Sequence, residues 1–105
     1  MSILLSILED ELNRNLRTQV AYSLELSQYQ KGSLIEKRRN NKIYYYLAYR
    51  NELNQIKTNY VGSENSPKVN ETKEYIKKRK EIISILKKLV IEEEEIRKML
   101  KINKD

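Results

Sequence analysis

The chain has 105 residues, with 21 Lys and Arg against 15 Asp and Glu, a formal net charge of +6, and neither cysteine nor histidine. That length suits one domain with a thin core. The two absences exclude disulfides and Cys- or His-based metal sites and remove the usual general base near neutral pH, so the expectation is a protein that is not an enzyme and uses no cofactor or metal.

The residues before Glu9 are apolar, but they lack a basic flank and run into Glu9, Asp10 and Glu11 too soon for a signal peptide or a membrane span. A cytoplasmic location is expected, with no membrane partner. From residue 2 to about 29 there is no Gly or Pro, and Leu4, Leu8, Leu12, Leu16, Val20 and Leu24 recur every four positions. The spacing predicts an amphipathic helix capped by Ser2. A strict four-residue repeat drifts by about 40° per step around a helix of 3.6 residues per turn, so this helix must cross or curve around its partner.

At Gly32 the period changes. Ser33 to Arg39 and Lys42 to Arg50 are extended-type runs joined by Asn40-Asn41, which tolerate positive φ, and together they predict a β-hairpin with a two-residue loop. A four-residue turn, Asn51 to Asn54, then leads into a third run ending at Gly62, giving a meander over about 33–62. The loop at 63–68 holds the single proline, and a second helix is expected over about 69–102. In that helix Tyr75, Ile82, Leu89 and Ile96 form one heptad position, and Arg79, Leu86, Glu93 and Leu100 the other. The fold class is therefore α+β: a long N-terminal helix, a three-stranded antiparallel β-meander and a long C-terminal helix in a single domain. So thin a core favours a homodimer, formed through the C-terminal helix.

Parity sorts the sheet into two faces. With Arg39 opposite Lys42 and a four-residue second turn, Leu34, Ile43, Tyr45, Leu47, Tyr49, Ile56 and Tyr60 form the core face. Ser33, Lys37, Tyr44, Tyr46, Ala48, Arg50, Lys57 and Asn59 form the open face, with Ile35 and Val61 at its edge. Lys31 to Arg50 carries six basic residues against one acidic, and Lys73 to Lys88 seven against two. Clustered charge of one sign attracts phosphates or acidic protein surfaces. Rings mixed with cations are the chemistry of single-strand binders, so the candidate contact residues are Lys37, Arg39, Lys42, Tyr44, Tyr46, Arg50 and Lys57. Tyr also suits an exposed sheet face for purely structural reasons, because its ring packs across strands while its hydroxyl stays wet. The acidic run Glu92 to Glu95 points around the helix axis and does not converge on one ion, which reads as a solvated patch.

The segments Gly32-Ser33-Leu34, Tyr44-Tyr45-Tyr46-Leu47-Ala48-Tyr49-Arg50 and Tyr60-Val61-Gly62, followed by a long charged helix, resemble an uncharacterised group of small low-GC bacterial proteins and N-terminal modules. That resemblance implies the sheet-then-helix order and no assigned activity. The hairpin is also similar to the three-stranded arm-site DNA-binding module of tyrosine recombinases, except that Asn51-Glu52-Leu53-Asn54 stands where that module has a turn glycine. Two functions are expected to compete. One is a nucleic-acid-associated accessory protein; the other is a protein-binding regulator from a phage or mobile element, such as an anti-CRISPR protein occupying the groove of a nucleic-acid-binding protein.

Overall fold

A computed structural model describes residues 2–104 and the side chains of residues 2–102. The element order is α1 (Ile3–Leu26), β1 (Ser33–Arg39), β2 (Lys42–Arg50), β3 (Ile56–Ser63) and α2 (Pro67–Lys104), an α+β arrangement with one antiparallel sheet in the order β1-β2-β3. Among the described residues no helix is long and apolar enough to cross a membrane. The chain forms two compact units, one from the residues up to Gln28 with those from Glu81 onward, the other Tyr29–Lys80.

In the sheet unit the hairpin forms as expected. Asn40 and Asn41 have φ of 51° and 64°, the pair of positive values that a tight two-residue turn requires, and Arg39 pairs with Lys42. The second connection departs from expectation: Arg50 pairs with Ile56, so the turn has five residues, Asn51 to Gln55. Asn51 builds it. Its side-chain oxygen accepts from the backbone N–H of Leu53 and of Gln55, its own N–H donates to the Gln55 carbonyl, and Asn54 takes a positive φ of 62°.

One added turn residue shifts β3 by one position and turns every side chain to the other side. Ile56 and Tyr60 therefore stand on the open face, opposite Arg50 and Tyr46. Lys57 and Asn59 stand on the core side, opposite Tyr49 and Leu47. A β-bulge follows, where the register changes between Tyr45 and Tyr46, so Val61 and Gly62 share the space opposite Tyr45 and both are buried. Val61, expected at the edge of the open face, belongs to the core.

That core joins Leu47, Val61 and fully buried Val69, with Leu34, Tyr45 and Ile76 packed around them, so the first turns of α2 cover the inner face of the sheet. Each large apolar side chain buried there contributes about 1.5–3 kcal/mol. Tyr45 is fixed at both ends: its hydroxyl donates to Glu36 at 3.2 Å, and Lys73 Nζ lies 4.7 Å from its ring centre. Pro67 starts α2 where a missing N–H costs nothing, and Ser66 Oγ accepts from the Val69 N–H, so the helix begins two residues earlier than expected. Tyr75 meets Tyr29 edge-on at 5.9 Å and donates its hydroxyl to Glu71 at 2.9 Å. The Glu71 carboxylate accepting that hydrogen bond raises the phenol above its ordinary value.

In the helix-pair unit Leu8 packs against Ile96 and Leu100, with Leu5 and Leu12 beside them, while Asn15 contacts Leu89, so α1 runs antiparallel to this part of α2. The Ser2 side chain accepts from the Leu5 N–H as expected. The interface on α1 follows Leu8, Leu12, Asn15 and Gln19, the 4-3-4 spacing of a real helix, and leaves Leu4, Val20 and Leu24 exposed.

Asn15 is 0% exposed, and its amide donates to the Leu89 carbonyl at 2.9 Å and to Glu92 at 3.2 Å. Gln19 Nε2 donates to both Asn15 Oδ1 and Glu93. Glu92 and Glu93 thus engage α1 rather than forming part of a solvated patch. The hydrogen bond from Gln19, and then the one from Arg97 at 2.7 Å, hold the Glu93 carboxyl below its ordinary range.

Two outcomes follow. Gly32 has φ of 155°, and a Cβ there would lie 2.7 Å from the Ala48 carbonyl oxygen, a backbone atom that cannot move aside. Gly32→Ala is expected to lower the free energy of unfolding in urea by about 1–3 kcal/mol. Because the folded-state value of Glu93 is lowered, its contribution is complete at pH above the ordinary carboxylate value of 4.5 and is lost as pH falls through the lowered one. Thermal melts of Glu93→Gln and the unsubstituted chain should therefore differ at neutral pH and converge in acid.

Candidate functional site

Strand pairing places Lys37, Arg39, Lys42, Tyr44, Tyr46 and Arg50 on one face of the sheet, with Ser33, Ile35, Ala48, Ile56, Thr58 and Tyr60. Lys57 is the exception, since its position opposite Tyr49 puts it on the helix-covered side. The open face carries four cations and no carboxylate at its strand positions, because Glu36, the one acidic residue in the three strands, pairs with Tyr45 on the inner side. A face of one charge sign, with no internal counter-ion, presents the strongest potential to an outside anion.

The rings gather at the hairpin end. Tyr60 lies 5.5 Å from Tyr46, at an interplanar angle of 65°, and 6.4 Å from Tyr44, at 48°. Lys37 Nζ sits 4.7 Å over the Tyr46 ring, so a cation already covers that ring while Tyr60 meets it edge-on. Tyr44 and Tyr46 are half-buried as a result, and Tyr60 is 54% exposed. The outermost ring is thus Tyr60, supported by the two tyrosines that the sequence singled out. Arg39 and Asn40 join the three rings in a shallow depression of about 260 Å³.

Arg50 is held elsewhere. Four residues along β2 from Tyr46, a path of about 14 Å, its guanidinium donates to the Asn54 carbonyl at 3.1 Å and lines a second depression of about 530 Å³ with Lys31, Gly32 and Ser33. The face therefore has a ring-and-cation cluster at one end and a separate basic hollow at the other. Sequence reasoning missed Tyr60 because its side depends on the length of the Asn51–Gln55 turn, which composition does not reveal. The one available signal was Asn51 followed by Asn54, two residues suited to closing a longer turn.

Among the described residues no group of Asp or Glu is arranged to hold a metal ion. Chemically, the open face offers π-faces for stacking and fixed positive charge for phosphate. No family model, no curated protein and no solved structure matches this chain.

Proposed function

We propose that the protein is a non-catalytic, cytoplasmic, nucleic-acid-associated accessory protein that binds single-stranded segments across the open face of its sheet. The observation that carries this reading is the joining of Tyr60, Tyr46 and Tyr44 to Lys37 and Arg39 on a face whose strands hold no carboxylate. Unstacked bases find π-faces there and the backbone finds cations, and neither interaction requires a particular sequence. A duplex hides its base faces and would use only the cations.

Titration of labelled single- and double-stranded oligonucleotides tests the reading. Single strands should bind more tightly, with affinity falling as salt rises, since each phosphate contacted releases counter-ions. Tyr60→Ala should weaken single-strand binding by roughly tenfold. Arg39→Ala should weaken binding to any sequence and reduce the salt slope by about one, while Lys57→Ala leaves both unchanged. Absence of binding at low salt overturns the proposal. In that case, a protein retained from nuclease-treated host lysate and lost in Tyr60→Ala would identify the same face as that of a protein-binding regulator, since Tyr and Arg also dominate protein interfaces.

A further inference from the structure

We propose that the hollow at the Arg50 end of the open face holds a terminal phosphate of the bound strand, so that the protein selects phosphorylated ends of single strands, an inference that rests on the single-strand reading of the same face. The lining combines small residues with long ones. Gly32, Ser33 and Ala48 are small, and Ser33 pairs directly opposite Ala48, while Lys31 and Arg50 are long cations. Small side chains between long ones leave room for a compact anion to approach the main chain closely. Ile56, which pairs opposite Arg50 and is 65% exposed, adds apolar surface beside the two charges. No ring of the open face lines this hollow, because Tyr49, which borders it, belongs by strand position to the helix-covered side. Its chemistry therefore suits a phosphate and not a base.

Charge and position decide which phosphate. The lining holds two cations and no carboxylate. Glu52 stands in the adjoining turn, outside that lining, and among the described residues it forms no ion pair with Arg50. One N–H of the Arg50 guanidinium is given to the Asn54 carbonyl, which leaves its other donors for a ligand. A phosphodiester inside a strand carries a single negative charge, whereas a terminal monoester carries about 1.5 to 2 at neutral pH and offers three acceptor oxygens. Two cations match the monoester. Arg50 is also the last residue of β2, and beyond it the chain leaves the sheet in the Asn51 to Gln55 turn. The path of about 14 Å from Tyr46 to Arg50 compares with an advance of about 3.4 Å per nucleotide in a stacked strand and more in an unstacked one. About four nucleotides at most thus separate a base on the rings from the phosphate in the hollow.

Calorimetric titration with unlabelled oligonucleotides of one sequence, about six nucleotides long to exceed that span, carrying a 5′-phosphate, a 3′-phosphate or hydroxyls at both ends, reads the result. One of the two phosphorylated strands should bind at least roughly tenfold more tightly than the hydroxyl-ended one, and which of them does so gives the direction of the strand on the face. That ratio should fall to within about twofold in Arg50→Gln and in Lys31→Gln, each compared with its own hydroxyl-ended measurement. Lys57→Gln, a cation on the helix-covered side, should keep it. Inorganic phosphate alone should bind far more weakly than the phosphorylated strand, because it leaves the rings unused. Equal affinity for all three strands overturns the proposal and leaves single-strand binding standing, whereas no binding by any strand removes both. An end preference that survives Arg50→Gln and Lys31→Gln also overturns it, because the phosphate then sits elsewhere. Inorganic phosphate binding as tightly as the strand does so too, since the hollow is then a site for the free ion.

Discussion

The antiparallel register of β2 with β3 is the constraint from which the open face takes its chemistry. It is set by a turn that Asn51 closes with its own side chain and released two positions before the strand ends, at the bulge opposite Tyr45. Between those points Tyr60 is committed to the outside and Asn59 to the inside. Beyond the bulge, Val61 and Gly62 can both lie inward, which β-alternation alone forbids. Gly62 is suited to the second of these places, because a Cβ there would press into Ser66, whose hydroxyl caps α2. The same short stretch therefore aims the ring that the face presents, completes the core against Val69, and starts the helix that covers the sheet.

Much of this was legible in the residues, for physical reasons that can be named. The hairpin register followed from Asn40-Asn41, because two consecutive positive-φ residues leave a two-residue loop few alternatives. From it came the parity of all nine residues of β2 and the outward positions of Lys37, Arg39, Tyr44 and Tyr46. The second turn carried no such restriction. Asn51-Glu52-Leu53-Asn54-Gln55 closes with four residues or five at similar cost until the Asn51 side chain is counted as an acceptor for two backbone donors. Those two hydrogen bonds exist only in three dimensions, and they moved Lys57 off the open face and Tyr60 onto it.

The helices show the complementary lesson. Leucines every four residues name the amphipathic character of α1 correctly, yet the helix cannot keep them all on one line, and the drift carries Leu4, Val20 and Leu24 out of the interface. The place left in the seam goes to Asn15, a residue whose burial no hydropathy pattern predicts. Its amide is satisfied by a main-chain carbonyl and a carboxylate of α2, and its carbonyl by Gln19, so no polar atom is left without a partner. A fully paired buried amide contributes little net stability. It acts instead on register: sliding α1 along α2 would strand the Asn15 amide among Leu and Ile side chains, a cost that an all-leucine seam would not impose.

The open face is also shaped by what its own groups do to one another. Lys37 over Tyr46 and Tyr60 against its edge leave Tyr46 few contacts to give away, so its part is to hold the ring above it. Holding matters because a side chain already confined loses less rotamer freedom when it meets a ligand than one that must first be immobilised. Tyr60, braced by two neighbours and still more than half exposed, combines restricted motion with an accessible surface. Arg50 is likewise tied by the Asn54 carbonyl, which accepts a hydrogen bond without supplying a counter-ion, and among the described residues no carboxylate forms an ion pair with it. The two ends of the face thus present fixed groups about four strand residues apart, a rigid spacing to which a flexible, charged chain can adjust.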